Sequence, residues 1–250
     1  MDTPAQPRRH DDAPARARGR RFEYNVTAMD ASTVARWRTL CLILLGAFLG
    51  MSVIVYGVRL LPGDVDLHGE IMGYRGTAIH GVARWLNYGG TWQFLAPAML
   101  LLLACSRAAR RRWWLWCGLL PIGGAVEQLF KFLVGRPRPR GVNPGFPSGH
   151  VTAAATFAVL LAYLLSRERV SSAARVPLLV LAVALVGSVG FARVILNAHW
   201  PSDVLGGILL GAGCAAAGAW WDAAHPSEGT SRPEGTSRPD TVTDAVRIRG

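Results

Sequence analysis

The chain has 250 residues, 51% of them hydrophobic, and its 27 Lys and Arg against 16 Asp and Glu leave a net charge of +11. That length suits one substantial domain, but the apolar residues collect in long runs between short Arg-rich or Gly/Pro-rich breaks, which excludes an ordinary soluble globule. The basic excess does not point to nucleic acid either, because it lies before the first run and in segments between the runs, where it sets membrane orientation.

Residues 1–36 are rich in Pro, Arg, Asp and Ala, hold few large apolar groups, and are expected to be disordered. The first apolar run, 39–61, is too long for the hydrophobic region of a secretory signal and has no small-x-small cleavage site at its end, so it reads as a retained anchor. Residues 62–90 form an outside segment with Asp64, Asp66, His68, Glu70, Arg75, His80 and Arg84. Within it, Ile79, Val82, Ala83 and Leu86 have helical spacing, which predicts a short helix over Thr77–Leu86 lying at the interface. His68 and His80 are read as solvated loop residues. The second run, 91–106, is short, and Trp85 and Leu86 extend its approach.

Arg107, Arg110, Arg111 and Arg112 precede the third run, 113–134. The loop that follows carries Arg136, Arg138 and Arg140 where the positive-inside rule expects few arginines, so these charges are expected to face a bound anion. Runs at 149–166, 176–197 and 201–221 complete the set, with Arg167, Arg169 and Arg175 between the fourth and fifth. Residues 223–250 are polar, contain the hexapeptide Glu-Gly-Thr-Ser-Arg-Pro twice in succession, and are expected to be disordered. The structured part is then 37–222. Backbone groups in lipid must be satisfied internally, so the expected fold is an all-α polytopic membrane protein, a bundle of about six transmembrane helices. The arginines before the first run, between the second and third and between the fourth and fifth fall on one side, which puts both termini in the cytoplasm of a plasma (inner) membrane protein. Cys41, Cys105, Cys117 and Cys214 all lie in the runs without paired spacing and indicate neither disulfides nor a metal site.

Three breaks hold the chemistry. Lys131, the one lysine in the chain, sits near the end of the third run, where an ammonium is costly unless it meets an anion. Glu127, one turn earlier, is an alternative partner for it. Gly135 and Pro137 break the helix and allow Arg138 to turn back toward Lys131, giving a fork beside a point charge that suits phosphate oxygens. Pro147-Ser148-Gly149-His150 directly precedes the fourth run. Ser148 reads as an N-cap, the free N–H groups after it form an anion site, Gly149 lets a ligand approach the backbone, and His150 stands at the rim as a proton donor. A capping serine and a surface histidine would explain this tetrapeptide equally well. In the third break, Arg193 precedes His199, and Asp203 follows His199 by four positions, so carboxylate and imidazole share a face. Asp203 can fix the tautomer of His199 and leave the other ring nitrogen as a nucleophile; helix capping is the alternative. With six spans, all three breaks lie on the outer face.

The combination Lys-x6-Arg-Pro, Pro-Ser-Gly-His and Arg-x5-His-x3-Asp resembles the signature of the type 2 phosphatidic acid phosphatase superfamily, over residues 37–222. The resemblance implies a phosphatase that uses neither metal nor other cofactor. It implies that Lys131, Arg138 and Arg193, completed by Ser148 and Gly149, bind the phosphate of a lipid phosphate or diphosphate in the bilayer. Phosphatidic acid, phosphatidylglycerol phosphate and undecaprenyl diphosphate are examples of such substrates. His199 would attack phosphorus to form a phosphohistidine, oriented by Asp203, while His150 would protonate the leaving oxygen and then activate water. The family usually has serine before the arginine of the third motif, and this chain has Ala192 there. A lipid phosphotransferase of the same fold, or a catalytically silent transporter or interaction protein, are the competing readings.

Overall fold

The structure, a computed structural model, describes residues 31–225. The disorder expected for 1–30 and 226–250 lies outside the described residues. Helix extends beyond the expected boundaries at both ends, because α1 begins at Ala31 and the last helix closes at Ala224.

Among the described residues the fold is all-α. The elements in order are α1 (Ala31–Val58), α2 (Asp64–Met72), α3 (Ala78–Leu86), a 3-10 turn (Asn87–Gly90), α4 (Trp92–Cys105), α5 (Arg107–Arg111), α6 (Trp113–Val134), α7 (Gly149–Arg167), α8 (Ser172–Ile195) and α9 (Pro201–Ala224). Helices α1, α6, α7, α8 and α9 are each long and apolar enough to cross a membrane. In α1, Cys41, Phe48, Ser52 and Val55 face the bundle, while Leu42, Ile43, Leu49, Val53 and Ile54 point away and are largely exposed. An apolar surface on the outside of a bundle is what lipid requires, not a packing defect.

The second expected span takes a different form. The 14 residues of α4 rise only about 21 Å at 1.5 Å each, short of the ~30 Å hydrocarbon core. Together with residues 78–90 it reaches the length and apolarity of a span, but the two pieces meet at a bend of 50°, the form of a broken span or a re-entrant pair. The short helix predicted over Thr77–Leu86 is present as α3, capped by the Thr77 hydroxyl, which accepts from the Ile79 N–H.

Helices α7 and α9 form the centre, with α1 and α6 packed around α9 and α8 against α7. The seam between the central pair is tight because Gly211 presents no side chain: a Cβ there would lie 2.2 Å from the carbonyl oxygen of Thr152. Close approach at small residues is how helices associate without a hydrophobic drive between them.

Polar contacts tie the helix ends together at both faces of the bundle. At one, Arg59 after α1 donates to the Val134 carbonyl closing α6 (2.7 Å), and the Ser148 N–H before α7 donates to the Asp203 carbonyl in α9 (3.0 Å). At the other, Ser106 donates to Glu168 (2.8 Å), linking α4 to the end of α7, and Arg112 pairs with Asp222 (3.1 Å), linking α6 to α9. Glu168 is half-buried, but the N–H of Ala108 and the Ser106 hydroxyl hold its carboxyl below the usual range despite that burial.

Candidate active site

All the residues singled out in the three breaks lie at the first of these faces, and the local backbone explains how they meet. Helix α8 ends at Ile195, and Asn197 adopts a left-handed conformation (φ 58°), a common way for a helix to close. The chain then curls so that the Arg193 carbonyl accepts the N–H groups of both Ala198 (3.0 Å) and His199 (3.2 Å). That curl brings His199 back over the end of its own helix, beside Arg193. Pro201 opens α9, and Asp203 two positions later turns its Oδ2 onto the Trp200 N–H (2.9 Å) and onto His199 Nδ1 (3.3 Å). Capping and orientation of the histidine are therefore done by one carboxylate oxygen. The arrangement favours the tautomer with its proton on Nδ1 and leaves Nε2 without a hydrogen-bond partner among the described residues.

His199 is 1% exposed. Burial lowers its pKa to about 4; Asp203 opposes that shift, and the charges of Arg193 and Arg138 add to it. Both guanidinium groups are thus close enough to act on the ring. Arg193, Arg138, Lys131 and His199 are likewise the charges that reach His150, in the first turn of α7. The structure therefore brings together Lys131, Arg138, His150, Arg193, His199 and Asp203 from α6, the following loop, α7, α8 and α9.

Arg138 donates Nε to the Pro144 carbonyl (3.2 Å), and Arg193 donates Nη1 to Asn87 Oδ1 (2.8 Å). Neither has a carboxylate partner among the described residues, and Arg193 Nε is buried without any acceptor. Lys131 is different: it forms an ion pair with Glu127 one turn earlier. The Glu127 carboxylate also lies against Gly149, where a Cβ would come within 2.7 Å of it. Lys131 therefore stands in the site already paired, and Gly149 is the residue that admits its partner. Ser148 is fully buried at the N-terminus of α7, and its Oγ has no hydrogen-bond partner. A buried unpaired hydroxyl beside free helix N–H groups suits an anion.

The loop arginines do not behave alike. Arg136 was expected to face an anion with Arg138 and Arg140; instead it is 1% exposed and spent on protein carboxylates. Its Nη2 meets Asp64 Oδ2 at 2.7 Å, and its Nη1 donates to Ser202 Oγ (2.6 Å) and lies 3.2 Å from Asp203 Oδ1. Arg140 is exposed. Asp64, given no role in the sequence reading of the outside segment, is the buried partner in this network: the Ser202 N–H (2.9 Å), the Ser202 hydroxyl (2.6 Å) and the Leu61 N–H (3.0 Å) all donate to it. Burial works to raise its pKa, but these bonds and Arg136 hold the carboxyl below its usual range. His68 is likewise not simply solvated; its Nε2 meets Asn197 Oδ1 at 2.9 Å, and its ring lies 5.0 Å from that of Trp200. Ala192 is buried against Ala83 and Ile195, in the contact with α3.

Comparison with known proteins gives a consistent result. The PAP2 superfamily profile matches residues 112–226. The chain is 27% identical over 205 residues to the lipid A 1-phosphatase of Rhizobium johnstonii, covering 71% of this chain and 77% of the relative. It is 34% identical over 145 residues to the decaprenylphosphoryl-5-phosphoribose phosphatase of Mycobacterium tuberculosis, covering 52% of this chain and 73% of that protein. In fold it is similar to a PAP2-type phosphatidylglycerolphosphate phosphatase from Bacillus subtilis, with a TM-score of 0.64 and 23% identity over 73% of this chain and 95% of the other. The chain belongs to the PAP2 superfamily and is a multi-pass membrane phosphatase.

Proposed function

We propose that this protein removes phosphate from a lipid phosphate or diphosphate through a phosphohistidine on His199, at the outer face of the plasma membrane. The observation that carries the reading is the His199–Asp203 pair (3.3 Å) set beside two guanidinium groups that lack carboxylate partners among the described residues and beside the N-terminus of α7. Charged oxygens of a phosphoryl group suit Arg138, Arg193 and the α7 N–H groups. Lys131, already balanced by Glu127, adds a weaker pull.

In the first step, Nε2 of His199 forms a bond to phosphorus as the bond to the lipid oxygen breaks. His150 gives its proton to that oxygen, and Asp203 stabilises the imidazolium that forms. In the second step, water attacks phosphorus, His150 takes its proton, and the bond to Nε2 breaks, returning both histidines to their starting states. The relatives act on lipid A 1-phosphate and on a decaprenyl-linked phosphoribose phosphate, and both names support a membrane-anchored phosphate as the substrate class here.

The proposed orientation rests on charge. Arg107, Arg110, Arg111, Arg112, Arg167, Arg169 and Arg175 lie at the face opposite the site, at or beyond the ends of α4 and α7 and the start of α8, and the positive-inside rule places that face in the cytoplasm.

His199→Ala should lower phosphate release from lipid phosphates by at least about 10³-fold while membrane insertion is retained. The assay is phosphate release by detergent-purified protein across a panel of lipid phosphates and diphosphates. Release that survives the substitution would sink the mechanism, and label passing to a second lipid with no free phosphate would make the protein a phosphotransferase.

A further inference from the structure

Asp64 lies outside the three breaks that carry the phosphate chemistry, far earlier in the chain, on a short helix after the first span. Yet it is among the most deeply buried carboxylates of the described residues, 2% exposed, and apart from the Leu61 N–H its side-chain contacts lead toward Asp203. Both of its oxygens are used. Oδ1 accepts the Ser202 N–H at 2.9 Å, and Oδ2 accepts the Ser202 hydroxyl at 2.6 Å, the Leu61 N–H at 3.0 Å and Arg136 Nη2 at 2.7 Å. Arg136 then reaches Asp203 Oδ1 at 3.2 Å, an ion pair whose direction misses good hydrogen-bond geometry. The other oxygen of Asp203 is the one that faces His199.

Arg136 is therefore shared between two buried carboxylates, and the sharing has an electrostatic consequence. A buried guanidinium with Asp203 as its one counter-charge would cancel that carboxylate, leaving little negative charge to steady an imidazolium. A second carboxylate on its far side balances Arg136 and leaves Asp203 effectively anionic toward the histidine. Geometry adds to this. Ser202 and Asp203 are consecutive in the first turn of α9, so holding Ser202 by both its N–H and its hydroxyl fixes the turn that aims Asp203.

We propose that Asp64 is a positioning residue for catalysis: through Arg136 and Ser202 it sets the orientation of Asp203 and preserves its negative charge toward His199. The proposal rests on His199 being the nucleophile. Asp64 touches no substrate; it acts through its neighbours, as the residues supporting a metal ligand or a catalytic base do.

Its test is Asp64→Asn in detergent-purified full-length protein, run beside His199→Ala. Asparagine keeps the shape but loses the charge and presents an N–H to a guanidinium. The groups facing His199 are Asp203 from α9, Arg193 from α8, Arg138 from the loop after α6 and His150 from α7. Removing a negative charge behind this set disfavours imidazolium, so the acid limb of kcat/KM should move to lower pH. The value of kcat should fall on the order of 10- to 100-fold, while KM and competitive inhibition by inorganic phosphate stay within about two-fold, since the phosphate-binding cations are untouched. In the double variant Asp64→Asn with Arg136→Gln the charge balance returns, and so should the position of the acid limb. An unchanged kcat, an acid limb that stays in place, or a parallel loss of phosphate affinity would overturn the proposal. A variant that cannot be recovered folded would also count against it, assigning Asp64 to the fold alone. Full activity in His199→Ala would instead overturn the mechanism itself, so the two failures are distinct.

Discussion

At the residue scale the site shows how neighbouring charges of one sign come to hold different tasks. Arg136 and Arg138 are two positions apart; one is buried between Asp64 and Asp203, and the other donates to a backbone carbonyl and is otherwise uncommitted. The same distinction governs His199, whose burial and cationic neighbours bring its pKa down to about 4. An imidazole attacks only when neutral, and a lowered pKa keeps it neutral to more acidic pH. The acid limb of kcat/KM set by His199 should therefore lie near pH 4, rather than near the ~6.5 of an ordinary histidine. A pH profile with a substrate whose own ionisation is known would check this; an acid limb centred on 6.5 would contradict it. The spacing of Lys131, Arg138, Ser148, His150, Arg193, His199 and Asp203 made this gathering legible in the sequence, because each motif sits where a helix must start or stop. The Asp64–Arg136–Ser202 network was not legible. Its members are separated by long stretches of chain, and a buried carboxylate leaves no local pattern. It is found only by asking what a fully buried arginine is bonded to.

At the scale of elements, the phosphate cradle depends on how closely α7 and α9 approach. The Thr156 hydroxyl donates to the Gly211 carbonyl (3.2 Å) as well as to that of Thr152 (2.8 Å), and Gly211 itself lies against the Thr152 carbonyl. Gly211→Val would force a side chain against the Thr152 backbone, at a cost of roughly 1–3 kcal/mol or more, and would pry apart the ends that carry Ser148 and Asp203. Lower thermal stability in detergent together with loss of phosphate release is the expected result, and a variant with native stability would show that the seam is not under constraint. The long spans were readable from hydropathy alone. The second was readable only in part, because α4 alone is too short and reaches span length only together with α3 and the 3-10 turn across a bend, which periodicity within one segment does not reveal.

At the scale of the whole molecule, the two faces of the bundle differ in kind: one carries the site, the other the arginines of α5 and of the turn between α7 and α8. With Cys41, Cys105, Cys117 and Cys214 replaced, Val142→Cys, at a residue 90% exposed in the loop beside Arg138, should react in intact cells with a membrane-impermeant maleimide. Arg169→Cys, beyond the end of α7, should react only after permeabilisation; the reverse labelling would invert the proposed orientation. The uncommitted guanidinium groups of Arg138 and Arg193 also bear on how the molecule holds together. Two cations forced near one another in a partly dehydrated place repel whether or not substrate is present, and among the described residues no carboxylate pairs with either. On the proposed reading a bound anion supplies that counter-charge, so the folded state is stabilised by what it binds. By linkage, an anion at a hundred times its dissociation constant adds about 2.7 kcal/mol to folding. On that reading phosphate should protect the protein as well as occupy it, and a phosphate-poor surrounding would shorten its lifetime.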